Sequence, residues 1–367
     1  METFKILQNY FQQLPIELQF VWVLSGILVG FAIIFIVYLK FLRNSLRKEE
    51  VLKIKLQHKY EGLLLSYLFE ESENEKLSEQ QNEFIKTLKS EINHNFKRKI
   101  VVETLLKLKN EVSGEVEIAI QNLYLKSNLQ EHAFQQLKSK KWDIVANGIK
   151  ELSNFKVKEA FPEVKKLLKY PKKEVRKEVE LYLVSLFHFE GLDFLNNLKI
   201  NLSEWDQIEL LEELQKFDNQ EIPDITLWLN SKNESVVSFS LKLAKIYNKY
   251  ETLETLLELL NHKTQKIRLQ VIDVITHLQI LDAKEILKTS FKKRSVEEQI
   301  AIFKMLENIY EPEDEDFIVE NSVNNNFEIQ YSALKMLKEV NKKAFNTLFE
   351  QNNKFKNNTI LKFVQNN

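Results

Sequence analysis

The same apolar pattern returns seven times between Ile144 and Val340, with a period of about 31 residues. Its fifth position advances by 31, 31, 30, 31, 31 and 31 residues and is always small or apolar. The residues there are Gly148, Val179, Leu210, Ser240, Val271, Ile302 and Ala333. Apolar residues return four and seven positions later, which is the spacing of one buried face of a helix. A single repeat cannot bury such a face alone, so the period predicts stacked helical pairs, an α-solenoid.

A first helix is predicted before each of these stripes. Two adjacent apolar residues stand seven to nine positions before the stripe begins, at Leu167 and Leu168, Trp228 and Leu229, and Leu259 and Leu260. This spacing leaves room for only a short turn between the two helices. Six glycines and five prolines in 367 residues are too few for the turns of an all-β protein, so we predict an all-α fold.

The repeats resemble the HEAT-repeat family. The match is best where the chain reads Phe161-Pro162-Glu163-Val164, then Leu167-Leu168, then Lys173-Glu174-Val175-Arg176 and Val179. Residues 256–271 also match well, and residues 317–333 match less closely, with Gln330 where the family often has Arg. Two repeats depart from the pattern, because Asp206 and Glu298 stand where an apolar start residue is expected. The resemblance covers roughly residues 100–340, with residues 112–125 as a degenerate first unit.

The resemblance implies a fold and says little about activity. It implies that six residues pack between neighbouring repeats, namely Val175, Val179, Ile267, Val271, Ile329 and Ala333. HEAT-repeat proteins are generally scaffolds and adaptors, and a fold does not dictate a function. By analogy with the family, solvent-facing residues of the second helices are candidates for the concave binding face: Lys150, Lys242, Asp273 and Lys304.

A membrane-spanning helix is predicted near the start of the chain. Residues 20–39 form a run of twenty residues without a charge, FVWVLSGILVGFAIIFIVYL. At about 1.5 Å per residue this run spans a hydrocarbon core of roughly 30 Å, with Trp22 and Tyr38 near the two interfaces. A cleavable signal peptide is disfavoured, because residues 1–19 contain Glu2 and Glu17 and lack a basic leader.

The flanking charges predict the orientation of this helix. Basic residues follow the span at Lys40, Arg43, Arg47 and Lys48, whereas Lys5 is the only one before it. The positive-inside rule therefore places the repeats in the cytoplasm and the N-terminus outside, with the chain as a single-pass membrane protein. The high content of Lys, Asn, Ile and Phe indicates an AT-rich bacterial genome, so the membrane is expected to be the bacterial inner membrane. The predicted organisation is an extracytoplasmic segment over 1–19, the span over 20–42, a juxtamembrane helical linker over 43–98 and the repeat array over 99–367.

Three further features surround the span. Before it, apolar residues within residues 4–14 would form a short interfacial helix that Pro15 ends, or else a frayed terminus. After it, residues 45–70 predict a long helix and residues 70–82 a polar connector. We expect residues 63–68 to pack partly against the array because they are too apolar to remain bare.

Within the span, Gly26 and Gly30 form a small-xxx-small step that would let a second helix approach closely. The contact would be either self-association, which makes a homo-oligomer, or docking to a larger membrane protein. The alternative is two glycines that face lipid without consequence.

The sequence offers no constellation for catalysis or for binding a cofactor or metal. The six histidines show no HExxH or other short metal-ligand spacing. The absence of cysteine excludes disulfides and thiolate metal sites. Gly62, Gly114, Gly148 and Gly191 stand alone, so no glycine-rich phosphate loop is present. We therefore expect a protein that is not an enzyme and uses no cofactor.

A basic surface is predicted within residues 156–177, where nine basic residues accompany three glutamates. Its central members are Lys165, Lys166, Lys169, Lys172, Lys173, Arg176 and Lys177. Clustered Lys and Arg attract anionic headgroups, acidic protein surfaces or nucleic acid. The alternative is the solvated outer side of one helical pair, with Arg176 used in packing or charge pairing between repeats.

Two functions fit these features. The first is a membrane-tethered scaffold that holds a protein partner at the cytoplasmic membrane face. The second is nucleic-acid binding through residues 156–177, which is disfavoured because the basic residues are confined to about one repeat. The layout also resembles bacterial membrane-anchored HEAT-repeat proteins, some of which are encoded beside membrane glycosyltransferases of exopolysaccharide systems. That resemblance implies an integral membrane glycosyltransferase as a hypothetical partner.

The register of the repeats can be tested by the substitution Val271→Asp. It would place an unpaired charge between stacked helices and should destabilise the array by several kcal/mol. Chemical denaturation of the full chain in detergent micelles measures the effect, with Lys304→Asp as a solvent-facing control. Unfolding of the Val271 variant at the wild-type denaturant concentration would overturn the register.

Overall fold

The computed structural model describes residues 15–70, 78–217, 222–353 and 363–364. All regular secondary structure in these residues is helical, which confirms the predicted all-α class. The chain divides into two compact units. The first contains Met1–Lys140 and Asn154–Val157, and the second contains Lys141–Ser153 and Lys158–Asn367.

Helix α1 is a single helix of 53 residues, Ile16–Leu68. It is long and apolar enough to cross a membrane, and none of its most apolar window is buried. The helix continues from the span into the linker and ends at Leu68, so the helix predicted over residues 45–70 is the continuation of the span. Pro15 is the N-cap residue of α1, and the interfacial helix predicted over residues 4–14 lies outside the described residues.

The C-terminal part of α1 packs within the first unit. It contacts α2 (Glu79–Glu91), α3 (Asn95–Glu111) and α4 (Glu115–Lys126), and α5 (Gln130–Leu137) follows. Tyr60 and Leu64 of α1 are buried in this packing, whereas Leu63 and Leu65 remain exposed. The Tyr60 hydroxyl donates to the Glu91 carboxylate at 2.5 Å. Residues 63–68 are therefore covered on one side only.

The connector between α1 and α2 is shorter than the polar stretch of residues 70–82 suggests. Helix α2 begins at Glu79, and Ser78 and Gln81 form a capping box at its start. The Gln81 side chain also donates to the carbonyl oxygen of Tyr67 at 3.0 Å, which fixes the start of α2 on the end of α1. A polar residue is buried here because both of its hydrogen-bonding groups are used.

The second unit contains thirteen helices within the described residues. They are α6 (Trp142–Asn154), α7 (Phe161–Lys165), α8 (Lys173–Phe187), α9 (Glu204–Leu214), α10 (Thr226–Leu229), α11 (Glu234–Ile246), α12 (Leu253–Leu259), α13 (Gln265–Leu278), α14 (Ala283–Ser290), α15 (Val296–Ile309), α16 (Glu315–Asn321), α17 (Phe327–Val340) and α18 (Lys342–Asn353). The 3-10 helices are Lys158–Ala160, Lys166–Lys169, His188–Asn197, Tyr250–Thr252, Phe291–Lys293 and Pro312–Asp314.

Seven of these helices carry the predicted stripes, namely α6, α8, α9, α11, α13, α15 and α17. Their first residues are 31, 31, 30, 31, 31 and 31 positions apart, the same steps as in the sequence. Every residue at the fifth position of the pattern, from Gly148 to Ala333, is buried. The residues seven positions after these are not all buried, since Val340, seven residues after Ala333, is exposed. The structure is therefore helical and repeat-like over this unit.

The first helix of each pair is much shorter than a typical helix of a hairpin. Helix α10 has four residues, and between α8 and α9 the first helix is the 3-10 helix His188–Asn197. The first helices are short because the striped helices already use 11 to 15 residues of a repeat of about 31. The remainder must supply two turns as well as the first helix.

Hydrogen bonds join residues of neighbouring repeats that are about one period apart in sequence. The hydroxyls of Ser153 and Ser185 lie 2.8 Å apart, and Lys177 donates to Glu209 at 2.8 Å. In agreement with this, α8 packs on α9, α11 on α13, α13 on α15, and α15 on α17. Neighbouring repeats thus share polar contacts at their surface as well as the buried stripe.

One side chain in each of five repeats holds the turn before its striped helix. The donors occupy the same repeat position: Arg176, Gln207, Arg268, Gln299 and Gln330. Arg176 donates to the carbonyl oxygens of Tyr170 and Pro171, at 2.8 and 2.9 Å. Gln330 donates to the carbonyl oxygen of Ser322 at 3.0 Å. Gln330 therefore performs the same task as Arg at this position.

Asp206 and Glu298, the two departures at the start of the stripe, are both buried. Each closes a capping box with a serine N-cap, Ser203 or Ser295. Glu298 also accepts from Arg268 at 2.7 Å. Burial alone would raise the pKa of Glu298, but Arg268 and the Ser295 donors lower it to about 2. A carboxylate replaces an apolar residue here because cations and N–H groups surround it.

Gly191 lies where the 3-10 helix His188–Asn197 comes close to the backbone of α8. A Cβ atom added at Gly191 would be 2.3 Å from the carbonyl oxygen of Leu183 and 2.8 Å from the backbone nitrogen of Val184. No side chain can occupy this space without moving backbone. The His188–Asn197 helix therefore packs on α8 only with glycine at this position.

Gly191→Ala should destabilise the second unit by about 1 to 3 kcal/mol, because the methyl group overpacks a backbone contact. Urea denaturation of the full chain in micelles measures the change. Gly62→Ala is the matched control, since a Cβ there meets nothing within 4 Å and alanine favours a helix. Equal stability of wild type and the Gly191 variant would show that the close approach is not rigid.

Candidate functional site

A groove of about 1020 Å³ opens in the second unit beside α8. It lies where α8 meets α7, the 3-10 helix Lys166–Lys169 and the 3-10 helix His188–Asn197. Its apolar lining consists of Phe161, Leu168, Leu183, Phe187, Phe194 and Leu198. The rings of Phe161 and Phe187 meet edge to face with centroids 5.0 Å apart. The groove is thus an apolar depression at the junction of two repeats.

The walls of the groove carry charges of opposite sign on different segments. Lys165 and Lys169 lie on the side of α7, and Arg176 lies on α8. Glu190 and Asp193 lie on the His188–Asn197 helix. Such an arrangement suits a ligand with an apolar face and charged flanks.

Three of the seven predicted basic residues are engaged within the unit. Lys173 pairs with Asp206 at 3.2 Å, and Lys177 pairs with Glu209 at 2.6 Å. The Arg176 guanidinium donates to the turn before α8. These three cations are therefore less available to an external partner than the sequence suggests.

The other four predicted basic residues are Lys165, Lys166, Lys169 and Lys172, and all are exposed. Among the described residues none of them forms an ion pair. The Lys165 ammonium lies 5.1 Å from the centre of the Phe161 ring at the edge of the groove. The cations available for binding are thus concentrated beside the apolar lining.

The remaining predicted residues lie in the two units as follows. The six packing residues, from Val175 to Ala333, are at most 2% exposed. Gly26 and Gly30 lie on α1, and a Cβ added at either would meet nothing within 4 Å. Pairing of α1 with another helix through these glycines stays a prediction.

Glu180 is a buried carboxyl that sequence reasoning missed. It lines a cavity of about 40 Å³ together with Lys173, Arg176 and Asp206, and this cavity shares Arg176 with the groove. Burial, reinforced by the charge of Asp206, raises the pKa of Glu180 to about 7. The sequence did contain a signal that Glu180 is buried, because the equivalent residue in every other repeat is apolar, for example Leu211.

No protein-family profile matches the chain, and no curated protein matches it. Among solved structures, the chain is similar to the crystal structure of an engineered protein at 14% sequence identity and a TM-score of 0.31. That similarity covers 83% of this chain and 87% of the other. At this level it indicates neither a family nor a function.

Glu180→Leu should stabilise the second unit at pH 8. The carboxyl has an ordinary pKa of 4.5 and a pKa of about 7 in the folded protein, so the folded state loses stability as pH rises from 4.5 to 7. Above pH 7 the accumulated cost is about 3 kcal/mol, which leucine removes.

Urea denaturation of both proteins at pH 5 and pH 8 tests this expectation. The advantage of the Glu180 variant should be larger at pH 8, while the exposed Glu174→Leu should show no such pH-dependent gain. An advantage of Glu180→Leu that does not change between the two pH values would contradict the assignment of a raised pKa.

Proposed function

We propose that the protein is a non-catalytic, membrane-tethered adaptor whose second unit binds a protein partner. The observation that carries the proposal is the groove beside α8, with its apolar lining and its unpaired lysines. Apolar depressions of this size on soluble surfaces are typical of binding sites. The helical repeat supports a HEAT-like solenoid as the finer description of the fold.

The anchor in this proposal is α1. Its apolar segment is exposed along its length, with Phe20 70% and Trp22 63% exposed, whereas the core helix of a water-soluble protein would be buried. The basic residues after the span support a single pass with the repeats in the cytoplasm of a bacterium, at its inner membrane.

The partner that fits the groove best is an amphipathic helix with an acidic flank. Its apolar stripe would cover Phe187 and Phe194, and its acidic residues would face Lys165 and Lys169. This is the helix-in-groove mode of peptide recognition. An integral membrane glycosyltransferase of an exopolysaccharide system is the hypothetical partner, on the resemblance of layout alone.

Nucleic acid is a less favourable ligand for the same surface. Lys173, Arg176 and Lys177 are already engaged within the unit. Of the remaining lysines, Lys165 and Lys169 line an apolar groove that also contains Glu190 and Asp193, and these two carboxylates would repel phosphates. The charges of the groove therefore favour a protein segment.

The proposal can be tested by photo-crosslinking in cells that express the full chain. A photoreactive residue at Phe194 should crosslink to one protein, and the crosslinked segment should be an amphipathic helix with an acidic flank. Lys165→Glu combined with Lys169→Glu should reduce the crosslink yield at least about tenfold, since each buried or partly buried charge contact contributes over 1 kcal/mol.

The control is the same photoreactive residue at Tyr250, which is 59% exposed and does not line the groove. A crosslink to the same protein from Tyr250, or a yield that the double charge reversal leaves unchanged, would refute the groove as the binding site. If Phe194 crosslinks only to nucleic acid, the alternative function replaces the adaptor. A partner that is not a glycosyltransferase would end that hypothesis and leave the adaptor.

A further inference from the structure

The turns between the first and striped helices of five consecutive repeats form a continuous edge of the second unit. We define this turn edge as residues 169–172, 198–203, 230–233, 260–264 and 291–295. Each of these turns ends at the residue that precedes a striped helix, so the edge recurs with the period of the repeat.

Hydrogen bonds connect each turn of this edge to the next. Lys173, directly after the first turn, donates to Ser203 at 3.2 Å. Asn233 donates to the carbonyl oxygen of Ile200 at 3.1 Å, and Thr264 donates to Glu234 at 2.7 Å. The last link is from Arg294 to the carbonyl oxygen of Leu260, at 3.1 Å. The five turns therefore act as one surface.

The turn edge itself contains basic residues and no acidic residue. Its exposed lysines are Lys169, Lys172, Lys199, Lys232, Lys263, Lys292 and Lys293. In the helical turns that directly follow it there are four glutamates that are not buried, Glu174, Glu204, Glu234 and Glu297. Two lysines of the edge are paired, Lys263 with Glu234 and Lys292 with Glu320.

Large apolar side chains are exposed on the turn edge or in the first helical turn that follows. Ile200 is 51%, Trp205 63% and Val296 48% exposed. A surface with this composition combines positive charge with aromatic and aliphatic groups that prefer an interface.

Four of the turns at the other ends of the striped helices, those after α9, α11, α13 and α15, are together predominantly acidic. Residues 215–217, 222–225, 247–252, 279–282 and 310–314 contain six acidic residues and two basic residues, Lys216 and Lys249. The turn after α6 contains Lys156 instead. Three of the acidic side chains are paired, Glu251 with Lys249, and Glu311 and Asp314 with Lys284. The two sets of turns therefore differ in charge over four repeats.

We propose that the turn edge docks on a membrane surface that contains anionic lipids. The lysines would lie among the headgroups, and Ile200, Trp205 and Val296 would enter the interfacial region. The acidic turns would be repelled by the same surface, which fixes the orientation of docking. The proposal rests on the anchoring by α1 that the proposed function assumes. The edge shares Lys169, Leu198, Lys199 and Ile200 with the lining of the groove, but docking does not require a partner in the groove.

Anchoring makes weak docking sufficient. A tethered unit meets the bilayer at a high effective concentration, so modest affinity for lipid gives substantial occupancy. A lysine close to an anionic surface changes binding by roughly fivefold, and several lysines act together. An acidic protein or a nucleic acid would also meet positive charge here, but the anchor holds the unit beside the bilayer at all times, which favours lipid as the ligand.

The full chain in lipid nanodiscs tests the proposal. Because the chain has no cysteine, Val296→Cys allows a single nitroxide label on the turn edge. We expect this label to lose accessibility to a water-soluble relaxation agent in discs with phosphatidylglycerol, but not in discs of phosphatidylcholine alone. High salt should restore accessibility. A label at Leu281→Cys, beside Asp282 in an acidic turn, should remain accessible in both discs.

Charge variants complete the test. Lys172→Glu, Lys199→Glu and Lys232→Glu together should weaken docking by about a hundredfold or more. The matched control reverses Lys158, Lys304 and Lys342, which lie outside the turn edge, and should leave docking intact. Co-elution with the discs reports anchoring by α1 separately.

A Val296 label that stays accessible in anchored chains at low salt, or one that is shielded equally by uncharged lipid, would overturn the proposal. Shielding by added RNA without any response to anionic lipid would overturn it as well.

Discussion

The register of the second unit depends on hydrogen bonds from one side chain of a repeat to the turn before its striped helix. That turn connects a very short helix to a longer one, so its carbonyl oxygens lack regular backbone partners. Arg176 and Arg268 each donate to two successive carbonyl oxygens, and in three other repeats a glutamine donates to a carbonyl oxygen of the turn. In the repeat with Val237 at this position, Asn233 caps the helix and donates to the preceding turn. The starts of six of the seven striped helices are thereby held by side-chain donors to turn carbonyls.

Two buried carboxyls of the second unit differ in how well their negative charge is compensated. Glu298 lies beside Arg268, Arg294 and the Ser295 donors. Burial alone would raise its pKa, but Arg268 and the Ser295 donors lower it to about 2. Glu180 is buried in an apolar position, and its pKa is raised to about 7. Local rules are usually broken near functional sites. Glu180 fits this tendency because its cavity shares Arg176 with the groove.

The repeat and its register could be predicted from the sequence because burial repeats at a fixed period. The helix starts advance by the same steps as the apolar pattern, and α1 includes the predicted span. The shortness of the first helices was not predictable from apolar pairs such as Trp228 and Leu229, since two buried residues do not define a helix length. The groove also escaped prediction, because its walls come from segments that lack any common motif. Gln330 looked like a departure only because the shared chemistry is an N–H donor and not a particular residue type.

The two sets of turns can differ in charge because the fold does not determine which residue types occupy their exposed positions. Turn carbonyls are satisfied by the side-chain donors, so the exposed positions of each turn do not have to serve stability. Lysine is tolerated at those positions at little cost, as are the exposed Asp282 and Glu313 in the acidic turns. Asp314 differs, because it is buried and paired with Lys284 and Lys288. Four residues belong both to the turn edge and to the lining of the groove, namely Lys169, Leu198, Lys199 and Ile200. A partner helix in the groove and a lipid surface at the edge would therefore meet at the same residues, which favours a partner whose own binding segment lies close to a membrane.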